Sequence, residues 1–284
     1  MAAQLMDGKA LAERIRGGLA EEIEELGEVG LATVLVGDDP ASEIYIGLKQ
    51  KAAQDVGIVA RDYRLAAQTS ERELLDLVSE LNADDAVDGL LVQLPLPDHI
   101  DEARVIRALE PMKDVDGLHP LNAGQLYLGE PAHVGATPVG VMALLEEYDV
   151  AVEGARAVVV GRSDIVGKPV ALLLLQANAT VTVCHSRTAD LGSLTREADV
   201  LVVAVGREWL IGPGEVREGA TVIDVGMNRS EEGLRGDVDP AVAERAGLLT
   251  PVPGGVGPMT IAMLLGNAVR AARYRRGLLA FPGA

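Results

Sequence analysis

The sequence predicts an α/β protein of two lobes, each a parallel-sheet α/β sandwich. Strand-like and helix-like segments alternate along the whole chain, and the strand-like segments are unbroken runs of Val, Ile and Leu. Such runs are typical of parallel strands, because helices cover both faces of a parallel sheet. With 284 residues the chain can bury two ordinary hydrophobic cores, so two lobes are expected.

The elements of the first lobe follow from residues 30 to 97. The run "GLATVLVG", from Gly30 to Gly37, predicts a buried strand, and a helix is expected to open after Ser42 and to stop at Gly57. A second buried strand is predicted in "VDGLLVQLPLP", whose prolines cannot continue a hydrogen-bonded ladder. The first lobe therefore begins as strand, helix and strand.

The second lobe is predicted from one longer segment and two short ones. Residues 154–186 read as strand, tight turn, helix and strand, which is a βαβ unit. The runs "ADVLVVAVG" and "GATVIDVG" add two more continuous apolar strands. Together they predict a parallel sheet of the Rossmann type.

A change in composition marks the predicted boundary between the lobes. Residues 111–140 are rich in Gly, Pro, Asp, Asn and His and show little periodicity, which indicates a domain junction or a functional loop. We assign residues 1–118 to the first domain and residues 119–255 to the second. The C-terminal helix, within residues 256–284, is expected to pack back on the first domain, with an active-site cleft between the lobes.

The charge of the chain excludes some partners and suggests an environment. The net charge is −18, with 43 acidic and 25 basic residues, so the surface would repel nucleic acid and anionic membranes. Only five of the basic residues are lysines. This composition resembles that of proteins from cytoplasms with molar salt, which suggests a halophilic source.

The sequence also argues for a cytoplasmic protein without a metal site. The N-terminus lacks the pattern of a signal peptide, and the longest apolar run, Val170 to Leu175, is too short to span a bilayer. The single cysteine, Cys184, lies within a predicted strand and is expected to be a buried structural thiol. The histidines lack metal-ligand spacing, so no metal is expected.

The turn "VVVGRSDIVG" is the candidate site for a pyrophosphate. It joins a strand to a helix, where backbone N–H groups and the helix dipole favour an anion. Gly161 would make the sharp turn and Gly167 would let the helix approach the strand, although Ser163 stands where the dinucleotide fingerprint has glycine. Any such turn favours glycine, so the complete βαβ context gives the motif its weight.

The end of the next strand favours NADP over NAD. Enzymes that use NAD usually place an acidic residue there to hold the ribose 2′-hydroxyl. Here the sequence has His185, Ser186, Arg187 and Thr188, with Arg162 in the facing turn. A 2′-phosphate would meet cations and no carboxylate.

Four polar residues of the first lobe form a candidate catalytic set. Tyr45 and Lys49 are four residues apart and share one helix face. Gln93 ends a buried strand, where ligands bind parallel sheets, and Asp116 lies in the segment "KDVDG". Taken singly, each residue also fits a structural role: a solvated lysine, a capped strand end or an Asp-Gly turn.

Nine segments together resemble one family along essentially the whole chain. In chain order they are "SEIYIGLKQKAAQDVGI", "GLLVQLPLP", "KDVDGLHPLNAGQL", "ATPVG", "VVVGRSDIVGKP", "TVTVCHS", "VIDVGMNR", "GDVD" and "LTPVPGGVGPMT". Their order is similar to that of the bifunctional methylenetetrahydrofolate dehydrogenase/cyclohydrolases of the FolD type. One departure is that Gly135 and Ala136 replace the Pro-Cys that usually precedes Thr-Pro-x-Gly in this family.

The resemblance implies an NADP-dependent enzyme of one-carbon folate metabolism, acting as a homodimer. It would oxidise 5,10-methylenetetrahydrofolate and then hydrolyse the methenyl product. By resemblance Lys49 is the central catalytic residue, Gln93 holds it, Tyr45 stacks near or bonds the folate, and Asp116 bonds the pterin ring. The implied cofactor-binding residues are Gly161, Arg162, Ser163, Ser186 and Met227, and the loop with Pro253, Gly254 and Gly255 would close the folate side.

Two other functions remain open at this point. One is a two-domain Rossmann dehydrogenase acting on another substrate, such as a shikimate-type enzyme. The other is a nucleotide-binding regulatory protein without catalysis, which would give no reason for the four polar residues of the first lobe to occur together. An assay with methylenetetrahydrofolate and NADP⁺ separates these possibilities.

Overall fold

A computed structural model describes residues 2–38, 40–231 and 233–282, without the side chains of residues 40–45. The chain divides into two compact units. The three-stranded unit comprises Arg14–Ala136 and Ile261–Ala284, and the six-stranded unit comprises Met1–Glu13 and Thr137–Thr260.

The helices and strands follow the alternation predicted from the sequence. The α-helices are α1 (Gly8–Leu26), α2 (Pro40–Asp55), α3 (Glu71–Ala83), α4 (Glu102–Ala108), α5 (Pro120–Leu128), α6 (Ala136–Glu147), α7 (Gly167–Gln176), α8 (Leu191–Thr195) and α9 (Val256–Arg275). The strands are β1 (Gln4–Leu5), β2 (Gly30–Val36), β3 (Val59–Leu65), β4 (Gly89–Val92), β5 (Arg156–Val160), β6 (Thr180–Cys184), β7 (Val200–Val203), β8 (Thr221–Asp224), β9 (Asn228–Ser230), β10 (Gly233–Arg235) and β11 (Leu248–Leu249).

The three-stranded unit is built on a parallel sheet in the order β3-β2-β4. Both faces of its central strand are buried: Leu31 packs with residues of α2 and α9, whereas Ala32 and Val34 pack with residues of α3 and α4. Burial on both faces is why the strand reads as an unbroken apolar run. The C-terminal helix α9 belongs to this core through Leu264, Leu265 and other small apolar residues.

The six-stranded unit is built on a fully parallel sheet in the order β1-β11-β8-β7-β5-β6, with a separate antiparallel hairpin of β9 and β10. Successive residues of its central strand β5 belong to two buried faces of the sheet. Val158 and Val160 belong to one core cluster, and Val159, between them, is also fully buried. The predicted βαβ segment forms β5, α7 and β6. The α/β class and the parallel sheet predicted from the sequence are confirmed.

The units differ from the predicted domains in where they divide. We predicted a boundary at residues 118 and 119, but residues 119–136 belong to the three-stranded unit. Residues 111–140, expected to form a junction or loop, contain α5 and the start of α6. Helix α5 has little amphipathic pattern; Pro120 starts it and Gly129, at φ 85°, ends it.

The N-terminal residues contribute to the six-stranded sheet, which the sequence did not indicate. Strand β1 pairs in parallel with β11 at the sheet edge, and it is too short for a periodic signal. In the described part of the chain, no helix is both long and apolar enough to cross a membrane.

Candidate functional site

Lys49 and Gln93 form a direct hydrogen bond in the three-stranded unit. The Nζ of Lys49, on α2, donates to the Oε1 of Gln93 at 3.1 Å. Gln93 follows β4, and its own Nε2 donates to the carbonyl of Leu94 at 2.8 Å. That second bond fixes the orientation of the amide, so the oxygen rather than the nitrogen faces the lysine. Gln93 thus holds the ammonium at the carboxyl end of a parallel strand, where ligands bind such sheets.

Asp116 is carried by a segment that is fixed on both sides. Asp114 pairs with Leu90 of β4 in a parallel bridge, and its Oδ2 accepts hydrogen bonds from the backbone N–H of His119 at 2.7 Å and from the Nδ2 of Asn122 at 2.8 Å. Gly117 has φ 65°, and a Cβ there would overlap the backbone of His133. Only glycine fits this position without strain, so the turn after Asp116 has one shape.

A residue of the C-terminal helix closes the same segment from the other side. Asn267, on α9, is buried, and its Nδ2 donates to the carbonyls of Val115 at 2.7 Å and Val134 at 2.8 Å. One amide therefore ties the residue before Asp116 to a neighbouring loop. Sequence reasoning missed both Asp114 and Asn267 as supports of Asp116; the first lies in the quoted "KDVDG" motif, and the second had no local signal.

Burial changes the ionisation of the two charged groups in this site. Burial lowers the pKa of Lys49, and the negative charge of Asp116 partly opposes this. Burial raises the pKa of Asp116 to about 6; the positive charge of Lys49 opposes this rise, and the charge of Asp114 adds to it. Both shifts move the pKa values of these groups towards neutral pH, as is common for groups at functional sites.

The remaining predicted residues of the folate side lie in two places. Tyr45 belongs to α2, but its side chain lies outside the described residues. Pro253, Gly254 and Gly255 lie in the six-stranded unit, where the backbone N–H of Lys9 donates to the carbonyl of Gly254 at 3.0 Å. Of the four predicted catalytic residues, the structure therefore brings together Lys49, Gln93 and Asp116.

The predicted nucleotide turn has the geometry of a tight strand-to-helix connection. Gly161, after β5, has φ 134°, and a Cβ there would overlap the carbonyl of Ala204. A Cβ on Gly167, the first residue of α7, would overlap the carbonyl of Gly161. Both glycines are thus required by close approach of the backbone, as the sequence predicted. They form a cradle at the N-terminus of a helix, which suits the pyrophosphate of a dinucleotide.

Ser163 stabilises this turn from within. Its Oγ accepts hydrogen bonds from the backbone N–H groups of Val166 at 3.2 Å and Gly167 at 3.3 Å. The hydroxyl hydrogen remains a donor, so the serine can serve as a cap and still bond an anion. The acid of the turn, Asp164, forms an ion pair with Lys168 on α7. Arg162 is exposed beside it.

The end of β6 lies against the nucleotide turn. The backbone N–H of Gly161 donates to the carbonyl of Cys184 at 2.9 Å, which links the ends of β5 and β6. The next residues form a compact turn, in which the N–H of His185 bonds the Oγ1 of Thr188 at 2.8 Å, and Ser186 is exposed. Burial raises the pKa of the Cys184 thiol, as expected for a structural cysteine. Met227 follows β8 and is 42% exposed.

Comparison with known families accounts for both units. Residues 6–116 match the family described as "Tetrahydrofolate dehydrogenase/cyclohydrolase, catalytic domain". Residues 135–276 match "Tetrahydrofolate dehydrogenase/cyclohydrolase, NAD(P)-binding domain". The first range contains Lys49, Gln93 and Asp116, and the second contains the nucleotide turn.

Individual relatives match over nearly their full length. The chain is 55% identical to a bifunctional protein FolD from Halothermothrix orenii, over 95% of this chain and 98% of that protein. A crystal structure of the bifunctional FolD enzyme from Campylobacter jejuni is 48% identical, with a TM-score of 0.94 over 96% of this chain and 100% of that chain. A Trypanosoma brucei FolD structure, complexed with NADP cofactor and inhibitor, is 40% identical, with a TM-score of 0.93 over 99% and 100% of the two chains. The chain therefore belongs to the tetrahydrofolate dehydrogenase/cyclohydrolase family.

Proposed function

We propose that this chain oxidises 5,10-methylenetetrahydrofolate with NADP⁺ to 5,10-methenyltetrahydrofolate and NADPH, and then hydrolyses the methenyl group to give 10-formyltetrahydrofolate. The observation that carries the proposal is the bond from Lys49 to Gln93 in a unit that also fixes Asp116. Membership of the family makes this pair of reactions the expected one.

In the oxidation step, the main task of the protein is to position the reacting atoms. The two nitrogens that flank the methylene carbon donate electron density as the hydride leaves, so the product is a delocalised cation. Because the substrate supplies the driving force, holding the reacting atoms in place and keeping water away contribute most. This explains why an acid–base dyad is not needed for the first step.

The hydrolysis step requires proton transfer, and we assign this transfer to Lys49. Water adds to the methenyl carbon, a C–N bond opens, and one proton is released overall. A lysine whose pKa is lowered by burial can accept and return a proton more easily than a solvated lysine. Gln93 holds the Lys49 amine through its oxygen, so the amine keeps one direction during the reaction. Arginine could not take this role, because its guanidinium does not lose its proton.

Asp116 and the remaining folate-side residues bind the substrate in this scheme. A carboxylate suits the amide and amine donors of the pterin edge. Although burial raises the pKa of Asp116 to about 6, that value is still below neutral pH, so the group is largely ionised there. By resemblance to the family, Tyr45, Pro253, Gly254 and Gly255 are proposed to take part in folate binding as well.

The residues present fit NADP. Neither Gly161 nor Gly167 has room for a Cβ, so backbone rather than side chains lines this turn. A turn lined by backbone suits a bound pyrophosphate. When bound, NADP⁺ supplies the acceptor for the hydride. Ser163 and Ser186 would donate hydrogen bonds to phosphate oxygens, and Arg162 would pair with the 2′-phosphate. Met227 would lie against the cofactor with its exposed side chain.

We also propose that the protein works as a homodimer in a cytoplasm of high salt concentration. Both the dimer and the cytoplasmic location are proposed by resemblance to the family. The salt proposal rests on the charge of −18 and on the low lysine content.

One spectrophotometric assay tests the function. Purified protein is mixed with methylenetetrahydrofolate and NADP⁺, and NADPH and the methenyl intermediate are followed together. We expect NADPH to form while little methenyl compound accumulates. The KM for NADP⁺ should be lower than the KM for NAD⁺; equal or better use of NAD⁺ would refute the cofactor assignment. If neither NADP⁺ nor NAD⁺ is reduced, the proposed dehydrogenase activity is refuted.

A further inference from the structure

Asp237 is a buried carboxylate of the six-stranded unit that the scheme above does not use. It lies in the motif "GDVD" and is 0% exposed. Its Oδ2 accepts hydrogen bonds from the backbone N–H groups of Val205 at 2.7 Å and Gly206 at 3.0 Å. Its Oδ1 accepts from the N–H of Arg207 at 2.7 Å and from the Nδ2 of Asn228 at 2.9 Å. Four donors thus converge on one charge, which is the strong form of hydrogen bond.

The donors come from two chain segments that follow adjacent strands. Residues 205–207 follow β7, and residues 225–228 follow β8. Strand β7 lies between β8 and β5, and the nucleotide turn follows β5. Ligands of parallel sheets bind outside the carboxyl ends of the strands. Asp237 therefore joins two segments at the edge of the sheet that holds the dinucleotide cradle.

Close packing leaves these segments little freedom to shift. A Cβ on Gly226 would overlap the Asp237 carboxylate, and a Cβ on Gly236 would overlap that of Asp224. Asp224, the last residue of β8, accepts hydrogen bonds from the backbone N–H groups of Gly226 and Asp237, both at 2.9 Å, and of Val238 at 3.0 Å. The position of Asp237 is therefore set by its own neighbours before any ligand binds.

The segments held by Asp237 turn apolar side chains outward. Val205 is 37% exposed, although its backbone N–H is bonded to Asp237. Met227 is 42% exposed and lies between Gly226, whose N–H is bonded to Asp224, and Asn228, whose side chain is bonded to Asp237. Exposed apolar side chains on segments with an anchored backbone suit a flat aromatic ring, because the contact area is formed without ordering a loop. The nicotinamide end of a dinucleotide is such a ring.

We propose that Asp237 is a positioning residue of the cofactor site: it anchors the ends of β7 and β8 so that Val205 and Met227 form the apolar surface for the nicotinamide half of NADP. Asp237 does not touch the cofactor in this assignment, and acts through the two segments that it holds. The inference rests on the proposed NADP-dependent function.

The test is Asp237→Asn, which keeps the size of the side chain. The amide has one accepting oxygen, and its NH₂ group would face N–H donors that need an acceptor. We expect the KM for NADP⁺ to rise about tenfold, as for loss of a charge-assisted hydrogen bond. Cyclohydrolase activity on supplied methenyltetrahydrofolate should stay within about twofold, because that step uses Lys49 and consumes no cofactor.

Asp199→Asn is the matched control. Asp199 lies just before β7, at the opposite edge of the same sheet, and accepts a hydrogen bond from the backbone N–H of Arg156 at 2.9 Å. Asp199→Asn also removes a carboxylate that bonds the backbone of this sheet, but far from the proposed cofactor site. We therefore expect that it can lower the melting temperature without raising the KM for NADP⁺. If Asp237→Asn does not fold, Asn228→Ala removes a single donor and should raise the same KM by about threefold.

The outcomes separate the two proposals. An unchanged KM for NADP⁺ in a folded Asp237→Asn protein, or in Asn228→Ala where that is the variant that folds, overturns the positioning role. Equal losses of dehydrogenase and cyclohydrolase activity overturn it as well, because they indicate general destabilisation. Failure of the unmodified protein to reduce NADP⁺ would instead refute the proposed function.

Discussion

Each of the two units buries a carboxylate whose pKa is raised to about 6, but the two carboxylates have different partners. Asp116, in the three-stranded unit, interacts with the charge of Lys49, a group that can itself gain or lose a proton. Asp224, in the six-stranded unit, accepts hydrogen bonds from three backbone N–H groups, which do not titrate. The first arrangement places two groups that can gain or lose protons near each other, whereas the second surrounds a carboxylate with backbone donors of fixed position.

The difference matches the two reactions that we assign to the chain. Hydrolysis of the methenyl group needs proton transfer, which a lysine of lowered pKa can supply. Hydride transfer requires the folate and the nicotinamide to be held in a fixed relative position. Backbone of fixed position and closely packed glycines can provide this. The variants below are expected to affect one of these functions more than the other.

The largest effect is expected for Lys49→Met, which removes the charge and the donor at similar length. Cyclohydrolase activity, measured with supplied methenyltetrahydrofolate, should fall about a hundredfold or more, a typical contribution of general acid–base catalysis. Dehydrogenase activity should fall much less. Lys51→Met is the matched control, since Lys51 is an exposed lysine two residues further along α2. Equal loss of both activities in Lys49→Met would show that Lys49 only binds or stabilises.

The next effect concerns the support of Asp116 by α9. Asn267→Ala leaves the carbonyls of Val115 and Val134 without their amide donor, and the free energy of unfolding should fall by about 1–3 kcal/mol. The KM for the folate should rise as well, because the segment before Asp116 is loosened.

Asn82→Ala is the control for this prediction. Asn82 also bonds two backbone groups of the same unit, at Ala108 (2.7 Å) and Glu110 (2.9 Å), but these do not adjoin Asp116. It should lower stability in chemical denaturation without changing the KM for the folate. A folate KM that rises equally in both variants would contradict the special role of Asn267.

The pH dependence of kcat/KM for the folate should show an acid limb near pH 6. Burial raises the pKa of Asp116 to about 6, so the carboxylate becomes protonated and loses its charge as pH falls through that value. Below it, kcat/KM should decrease about tenfold per pH unit if the ionised form binds the substrate. Asp116→Asn should remove the limb and lower the plateau. A limb that persists unchanged in Asp116→Asn must come from another group.

The same shift predicts the effect of pH on stability. The folded state holds the Asp116 proton more tightly than the unfolded state, in which the pKa is near 3.8. The contribution of this group to stability is therefore favourable at low pH and decreases as pH rises from about 4 to about 6. Asp224 has the same sign, since its pKa is also raised to about 6.

The smallest effect is expected from salt and concerns both units alike. The 43 acidic and 25 basic residues produce a repulsion that dissolved ions screen. The melting temperature should rise by a few degrees between dilute buffer and molar KCl, with activity rising in parallel. Because potassium sulfate also strengthens hydrophobic burial, KCl is the better salt to use. A melting temperature that is flat or falls would contradict adaptation to high salt.

The sequence predicted the parts of the molecule that short-range patterns determine. The continuous apolar strands, the glycines of the nucleotide turn and the polar residues at strand ends were all visible in local sequence. Lys49, Gln93 and Asp116 are far apart in the chain, and resemblance to a family, rather than spacing, placed them in one site. The hydrogen bond between Lys49 and Gln93 adds the orientation of the amide, which no sequence pattern carries.

The parts that were not predicted depend on contacts between distant residues. Asn267 bonds a carbonyl 152 positions away, and Asp237 bonds an N–H 32 positions away. Asn267 looks like an ordinary polar residue in the sequence, and the motif "GDVD" does not show which groups Asp237 bonds. Lys113 shows the same limit. It begins the segment "KDVDG", but it is buried and donates to the carbonyls of Leu81 and Asp84 at the end of α3, which its position in the sequence does not indicate.

The central claim is that the three-stranded unit carries out the proton chemistry through Lys49 while hydride transfer depends on positioning. The most direct measurement is the ratio of methenyltetrahydrofolate to NADPH formed when Lys49→Met is given methylenetetrahydrofolate and NADP⁺. We predict a ratio close to one in the variant, because the oxidation continues while the hydrolysis stops, and a ratio close to zero in the unmodified protein. The same low ratio in both proteins would contradict the claim.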